Sequence, residues 1–340
     1  MKVRSRLKYL AWLFLPCLLW WIWRDIPLGN IFSILQNLQV WQVLVLILAN
    51  LGILQLLSTR WWLILRSQGF RLPYLALAGY RLAGFSISYF TPGTQFGGEP
   101  LLVYVLNKRH RVPTSTAVAS VTLDKLLELL VNFTFLALGM FLILESNLLA
   151  AWMIPTLLPV MVGLLCLPLF FLLGLGLGWK PVSWSLDRLP ERWKMSAAFH
   201  RVDQVIRSAE SQSSDYCRKR PGLVVGMYFI SLCFWGVMVG EYWLTLRFLG
   251  LPLTFGQAVI ALTAARLALL IPVPGGLGTL EASQVLALQA LGFEPVFGAS
   301  IALLIRGRDI IFAGIGLWLT AVYTQKRLKT ESKPLEAEYS

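Results

Sequence analysis

Ile271–Glu281 reads IPVPGGLGTLE: two prolines, three glycines and a glutamate inside a run otherwise apolar enough to span a membrane. Proline removes a backbone donor and fixes φ, while glycine permits conformations closed to other residues. Pro272, Pro274, Gly275, Gly276 and Gly278 are therefore expected to break a helix. Broken backbone at membrane depth survives only where protein or a water-filled cavity surrounds it. The carboxylate of Glu281, just past the break, argues for a cavity with a purpose. A second copy lies upstream in YFTPGTQFGGEP, Tyr89–Pro100, with Pro92, Gly93, Gly97 and Gly98 as its breakers. Pro92 stands seven residues before Glu99, as Pro274 stands seven before Glu281, and the apolar runs ahead carry Arg81 and Arg266. Two interrupted segments in corresponding halves point to a binding site of the transporter kind.

The rest of the chain agrees with a membrane setting. Of 340 residues, 57% are hydrophobic and only 14% charged, which excludes an ordinary soluble domain. Several stretches reach the length of about 20 apolar residues that crosses a hydrocarbon core. The net charge of +13 could suggest nucleic acid, but the cations cluster at the ends of apolar runs. Positive-inside topology and anionic lipid account for them, so no nucleic-acid partner is expected. Cys17, Cys166, Cys217 and Cys233 are scattered without CxxC, and the only histidines, His110 and His200, lie in basic loops. Neither a disulfide framework nor a metal site is expected, and no cofactor.

Taken in order, a first span is expected over 7–23, retained because no small-residue cleavage site follows it. A second covers 41–57 and exits to the cytoplasm at Arg60, Arg66 and Arg71, with Trp61 and Trp62 placed as an interfacial belt. A broken hairpin over 72–107 enters from the cytoplasm and returns there, at Lys108–Arg111. Spans follow over 116–144 and 149–178. Residues 180–220 read as a cytoplasmic loop with an amphipathic helix, lying on the membrane surface or solvated as a linker. A span at 223–248, a second broken hairpin over 257–290 entering from outside, and a last span at 296–323 complete a single membrane domain, 1–330. Residues 331–340 read as a disordered tail.

The fold class is therefore an all-α polytopic membrane protein, with about six full spans and two broken helical hairpins in an inverted repeat (41–145 and 223–323). Both termini face the cytoplasm. If each hairpin leg crosses fully, the count becomes ten with the same topology.

A central charge costs about 2.5–3.5 kcal/mol on insertion scales, so intramembrane charges must pair or line water. The candidate substrate-binding set is Arg81, Glu99, Asp124, Lys125, Arg266, Glu281 and Arg306. For Lys125, with Glu241 and Arg308 outside the set, pairing or an interfacial position is the competing reading. Helix N-termini at the breaks offer free N–H groups that suit an anionic head group, with arginine as a bidentate phosphate partner. Glu99 and Glu281 could instead cap those helix ends. The glycine stretches lack the Lys-Ser/Thr of a phosphate loop, and no catalytic motif stands out.

PGTQFGGEP at 92–100, the following Thr122–Lys125 and PVPGGLGTLEA at 272–282 resemble the lysylphosphatidylglycerol synthase transmembrane-region family, flippase-like integral membrane proteins. The resemblance spans roughly 10–325. It implies movement of a polar lipid between leaflets, such as an aminoacylated phospholipid or an isoprenoid-linked glycolipid, without the soluble aminoacyl-transferase domain of longer members. A transporter is expected rather than an enzyme, in the plasma (inner) membrane. Membrane lipids are its expected partners; a separate lipid-modifying enzyme and a second copy of the chain are further candidates. The alternatives are a membrane subunit or enzyme of lipid modification, and a small-solute transporter.

Overall fold

The computed structural model describes residues 36, 38–91, 97–146, 154–188, 197–271 and 273–325. The expected first span, the polar tail, and Pro92, Gly93 and Pro272 lie outside the described residues. Those described form eleven α-helices and no strand. They are α1 (Val40–Ser67), α2 (Tyr74–Phe90), α3 (Glu99–His110), α4 (Thr114–Glu145), α5 (Ile154–Gly176), α6 (Pro181–Asp187), α7 (Ala197–Lys219), α8 (Pro221–Phe248), α9 (Phe255–Ala268), α10 (Thr279–Ala290) and α11 (Pro295–Gln325).

Three of them, α1, α4 and α8, are long and apolar enough to cross a membrane. α5 and α6 form a broken pair bent by 91°. The lengths of α1–α4 are 28, 17, 12 and 32 residues; those of α8–α11 are 28, 14, 12 and 31. At 1.5 Å per residue, the 12-residue helices α3 and α10 are about 18 Å long, well short of a core of about 30 Å.

The helix boundaries have local causes. Thr254 opens α9 with a capping box, its hydroxyl accepting from the Gln257 N–H while the Gln257 side chain accepts from the Thr254 N–H. Pro221 stands in the first turn of α8, where a missing N–H costs nothing. Arg111 ends α3 in the left-handed region, and Pro113 then turns the chain into α4.

α1 and α8 run antiparallel: Asn50 meets Glu241 at 3.0 Å, and Arg60 meets Ser231 at 2.9 Å. α2 packs on α11, and α9 packs on α4. The core between them is aromatic and aliphatic, with Trp235 stacked on Phe135 at 3.9 Å between ring centres, and Tyr242, Leu246, Leu262 and Leu288 buried around it. Lipid is as apolar as leucine, so this core holds by close packing more than by exclusion of water. Leu44, Leu48, Phe141, Ile310 and Trp318 point outward, as lipid-facing side chains should.

Two sequence expectations fail in α1. The helix continues ten residues past 57, and Arg60 is only 1% exposed instead of marking a cytoplasmic exit. Trp61 is equally buried and belongs to no interfacial belt, whereas Trp62 meets Tyr74 edge-on beneath Arg66. Arg60 turns inward to Asp124 on α4 and Ser231 on α8, and Trp61 packs among Leu77 and Tyr80 of α2, Val105 and Leu106 of α3 and Ala117 of α4.

In the 180–220 stretch, α7 packs on α4, α5 and α6. Its buried stripe is Ala209, Glu210, Ser213, Ser214, Tyr216 and Cys217, at helical spacing. Protein, not the lipid surface, covers that face. Glu210 accepts from the Val182 and Ser183 N–H groups at 2.8 Å each and so caps α6, while Tyr216 meets Ser67 at 3.0 Å. Burial pushes the Cys217 thiol up to about 11. At pH 7.5, a maleimide should modify Cys217 at least about tenfold more slowly than a cysteine placed at exposed Asp215, with the gap closing as pH rises. Equal rates would show that α7 does not stay docked.

Candidate functional site

The charged residues of the helical bundle collect around one cavity of about 340 Å³. α4 supplies its polar stripe: Asp124, Glu128 and Asn132 fall at i, i+4 and i+8, hence on one face. Asp124 is the hub of this wall. It accepts from Arg60 Nε at 2.7 Å and from Arg81, so one carboxylate ties α1, α2 and α4 together. Glu128 lies 2.8 Å from Lys125, 3.7 Å from Arg60 and 4.0 Å from Arg81. Three cations thus face Asp124, Glu128 and Glu99, so each buried charge has an opposite neighbour, which burial at this depth demands.

Glu99 begins α3 at the first break. One oxygen accepts from the Gly97 N–H at 2.7 Å and the other lies 3.4 Å from Lys125. It therefore ties down the backbone just ahead of the half-helix, without capping the helix N–H groups, and lines the cavity. Gly98 beside it allows the legs of the hairpin to touch, since a Cβ there would sit 2.1 Å from the Gly84 carbonyl oxygen.

The second break is built differently. Gly275 and Gly276 adopt φ values of 58° and 61°, which glycine alone takes without strain. Their carbonyls turn inward onto Arg306, which donates Nη2 to Gly276 O at 2.6 Å and Nη1 to Gly275 O. Arg306 also holds Glu281 through Nε at 2.8 Å and Nη2 at 3.1 Å, and reaches the Tyr89 hydroxyl at 3.2 Å. Glu281 is 5% exposed and Arg306 6%, and neither lines the cavity. This pair clamps the break.

Opposite the α4 wall stand Glu241, Arg308 and Asp309. Arg308 lies 3.0 Å from Asp309 and 3.6 Å from Glu241. Arg266 is the exception among the arginines of the site. No carboxylate lies within 4.0 Å of it among the described residues; its neighbours are the Trp235 ring at 5.2 Å and the Met238 sulfur, a weak acceptor. Its buried Nε has no hydrogen-bond partner among the described residues.

Of the seven sequence candidates, Arg81, Glu99, Asp124, Lys125 and Arg266 line the cavity, and Glu281 and Arg306 stand outside its wall. Sequence reasoning left out Arg60, Glu128, Asn50, Glu241, Arg308 and Asp309. The helical spacing of Asp124, Glu128 and Asn132 could have drawn in Glu128. Nothing local marks Arg60, whose partners lie 64 and 171 residues away.

A second recess, an apolar groove of about 520 Å³, runs between α3 and α4 past Val103, Val118, Leu126 and Leu129. It shares Glu99, Val121 and Lys125 with the cavity, and Pro100 and Thr122 at its rim are exposed.

These features define an all-helical membrane protein with a charge-lined internal cavity. The chain belongs to the family described as the lysylphosphatidylglycerol synthase TM region, whose model matches residues 10–316. It is similar to the UPF0104 membrane protein MJ1595 of Methanocaldococcus jannaschii, 23% identical over 83% of this chain and 84% of that one. A UPF0104 membrane protein of Methanothermobacter thermautotrophicus is 24% identical over 82% of this chain and 84% of the relative. No solved structure matches.

Proposed function

We propose that this protein is a lipid translocase that moves a polar or anionic lipid between membrane leaflets. The observation that carries this is the junction of cavity and groove at Glu99, Val121 and Lys125. A lipid has a polar head and apolar chains, and the junction offers adjoining spaces of those two characters. The head group would enter the charged cavity while a chain stays in the α3–α4 groove. A small-solute carrier needs no apolar groove opening from its polar site.

Arg266 gives the cavity its preference for an anion. Every other charge named in the wall has an opposite partner, so a phosphate arriving there gains a guanidinium whose desolvation is already met. In this state the Glu281–Arg306 clamp shapes the site from outside the cavity wall.

Internal symmetry supplies the route between leaflets. α1 and α8, α2 and α9, and α4 and α11 start 181 residues apart, at 40 and 221, 74 and 255, and 114 and 295. Asn50 and Ser231 are equivalents in this register, and so are Arg60 and Glu241, and Lys125 and Arg306. The Arg60–Ser231 and Asn50–Glu241 contacts are thus mates of each other, as a two-fold axis requires. The antiparallel run of α1 and α8 supports reading the repeat as inverted, and the short α3 and α10 read as re-entrant legs instead of full crossings. Inverted repeats allow a central site to open toward either side in turn. With the basic segments Lys108–Arg111 and 180–220 on the cytoplasmic side, the chain sits in the plasma membrane with its C-terminus inside.

The test is reconstitution into vesicles carrying head-group-labelled polar lipids in one leaflet. Wild type should equalise the label between leaflets. Arg266→Ala should slow this about tenfold or more, the weight of one charge-assisted contact to phosphate. Failure of the wild type to move any polar lipid would instead favour a membrane subunit of a lipid-modifying enzyme.

A further inference from the structure

The two halves of the repeat are equivalent in register but not in packing, and the difference lies at one seam. In the first half, α3 stands off α4 and leaves the apolar groove. Only Val105 and Leu106 of α3 are buried. In the second half, α10 is pressed onto α11. A Cβ on Gly298 would sit 2.5 Å from the Val285 Cα, and α10 is held from its other side by α8 and α9, where Gln284 meets Tyr242 and the Ala261 carbonyl.

The groove wall on α4 has its counterpart on α11. Val118 and Val121 correspond to Ala299 and Ala302, which are fully buried in the closed seam. The charge pairs behave alike: Lys125–Glu99 lines the open cavity, whereas its mate Arg306–Glu281 is sealed at 8% and 7% side-chain exposure.

From this we infer that the α10–α11 seam is a second lipid-chain groove, closed in the present state, which opens when the α3–α4 groove closes. Resting on the translocase reading above, it assigns a binding site for an acyl chain to a surface that now shows none. The physical basis is that equivalent helices within one chain can exchange conformations at little net cost, because the close packing given up in one half is recovered in the other. The seam is suited to parting. Its α11 side presents Gly298, Ala299 and Ala302, small residues that seal by close approach and leave a smooth channel wall when separated. In that second state Arg306 and Glu281 would join the cavity wall, and Lys125 and Glu99 would take up the clamp at the first break.

Electron-spin distance measurements on full-length protein in lipid nanodiscs test this, in a background with Cys17, Cys166, Cys217 and Cys233 replaced by alanine. One labelled pair, Tyr104→Cys with Thr122→Cys, spans the open groove. The other, Leu286→Cys with Leu303→Cys, spans the closed seam at equivalent positions; all four native side chains are exposed. The expected result is two populations in each pair, with the longer distance of one pair rising as that of the other falls. Gly298→Ala, a wedge in the seam, should shift both pairs toward the second population. A single distance at the Leu286–Leu303 pair, with and without the wedge, overturns the second groove. So do distances that lengthen together. Vesicle transport is read separately: lipid movement with an immobile seam removes this inference and leaves the translocase reading, whereas exchanging distances without lipid movement do the reverse.

Discussion

Asp124→Asn is expected to be among the most destabilising single changes in the protein. Asp124 is 5% exposed and neutralises Arg60, itself 1% exposed, at 2.7 Å, as well as Arg81. Removing its charge leaves two guanidinium groups facing each other across a neutral amide, with Glu128 at 3.7 Å and 4.0 Å as the remaining anion. Breaking a buried ion pair from one side costs about 3–5 kcal/mol, because the surviving charge stays desolvated. In detergent micelles the midpoint of thermal unfolding should fall sharply. Arg60→Met combined with Asp124→Asn should recover part of the loss, since it removes the more deeply buried of the two cations that the lost carboxylate strands. Such non-additivity marks direct coupling. A single variant with wild-type stability would mean that this hub does not hold α1, α2 and α4 together.

Arg306→Gln should have an effect of similar size by a different route. Arg306 neutralises Glu281 and also satisfies the inward carbonyls of Gly275 and Gly276. Its loss strands one buried carboxylate and two backbone acceptors, for which a cost of about 3–5 kcal/mol is expected from the charge alone. The second break should then unravel, read as new protease sensitivity between Leu269 and Gly278. Arg306→Lys keeps the charge without the planar fork, so it should fall between wild type and glutamine. Pairing Arg306→Gln with Glu281→Gln should relieve the charge penalty but leave the carbonyls unmet. If Arg306→Gln accumulates and resists protease like wild type, the pair is no clamp.

Much of this architecture was legible in the chain. Helix-breaking residues at matched positions in apolar runs announced two interrupted helices, because proline and glycine act on their own backbone whatever surrounds them. Glu99 meets Lys125 and Glu281 meets Arg306, each a cation from the long helix that follows its break. Arg60 was illegible. An arginine after an apolar run looks the same whether it leaves the membrane or turns inward to a carboxylate 64 residues later. Trp61 was misplaced for the same reason. The amphipathic pattern of α7 suited either the membrane surface or a solvated linker, and nothing local showed that α4, α5 and α6 would cover its face.

The sequence by itself determined the class of protein and the two breaks, since apolar length and backbone chemistry are local properties. Only the tertiary structure decided which charges meet. Ion pairing depends on distances between helices, and these follow from how α1, α4, α8 and α11 pack. That packing turned Glu281 into a clamp, made Asp124 the hub of three helices, and left Arg266 facing the cavity with no carboxylate beside it among the described residues.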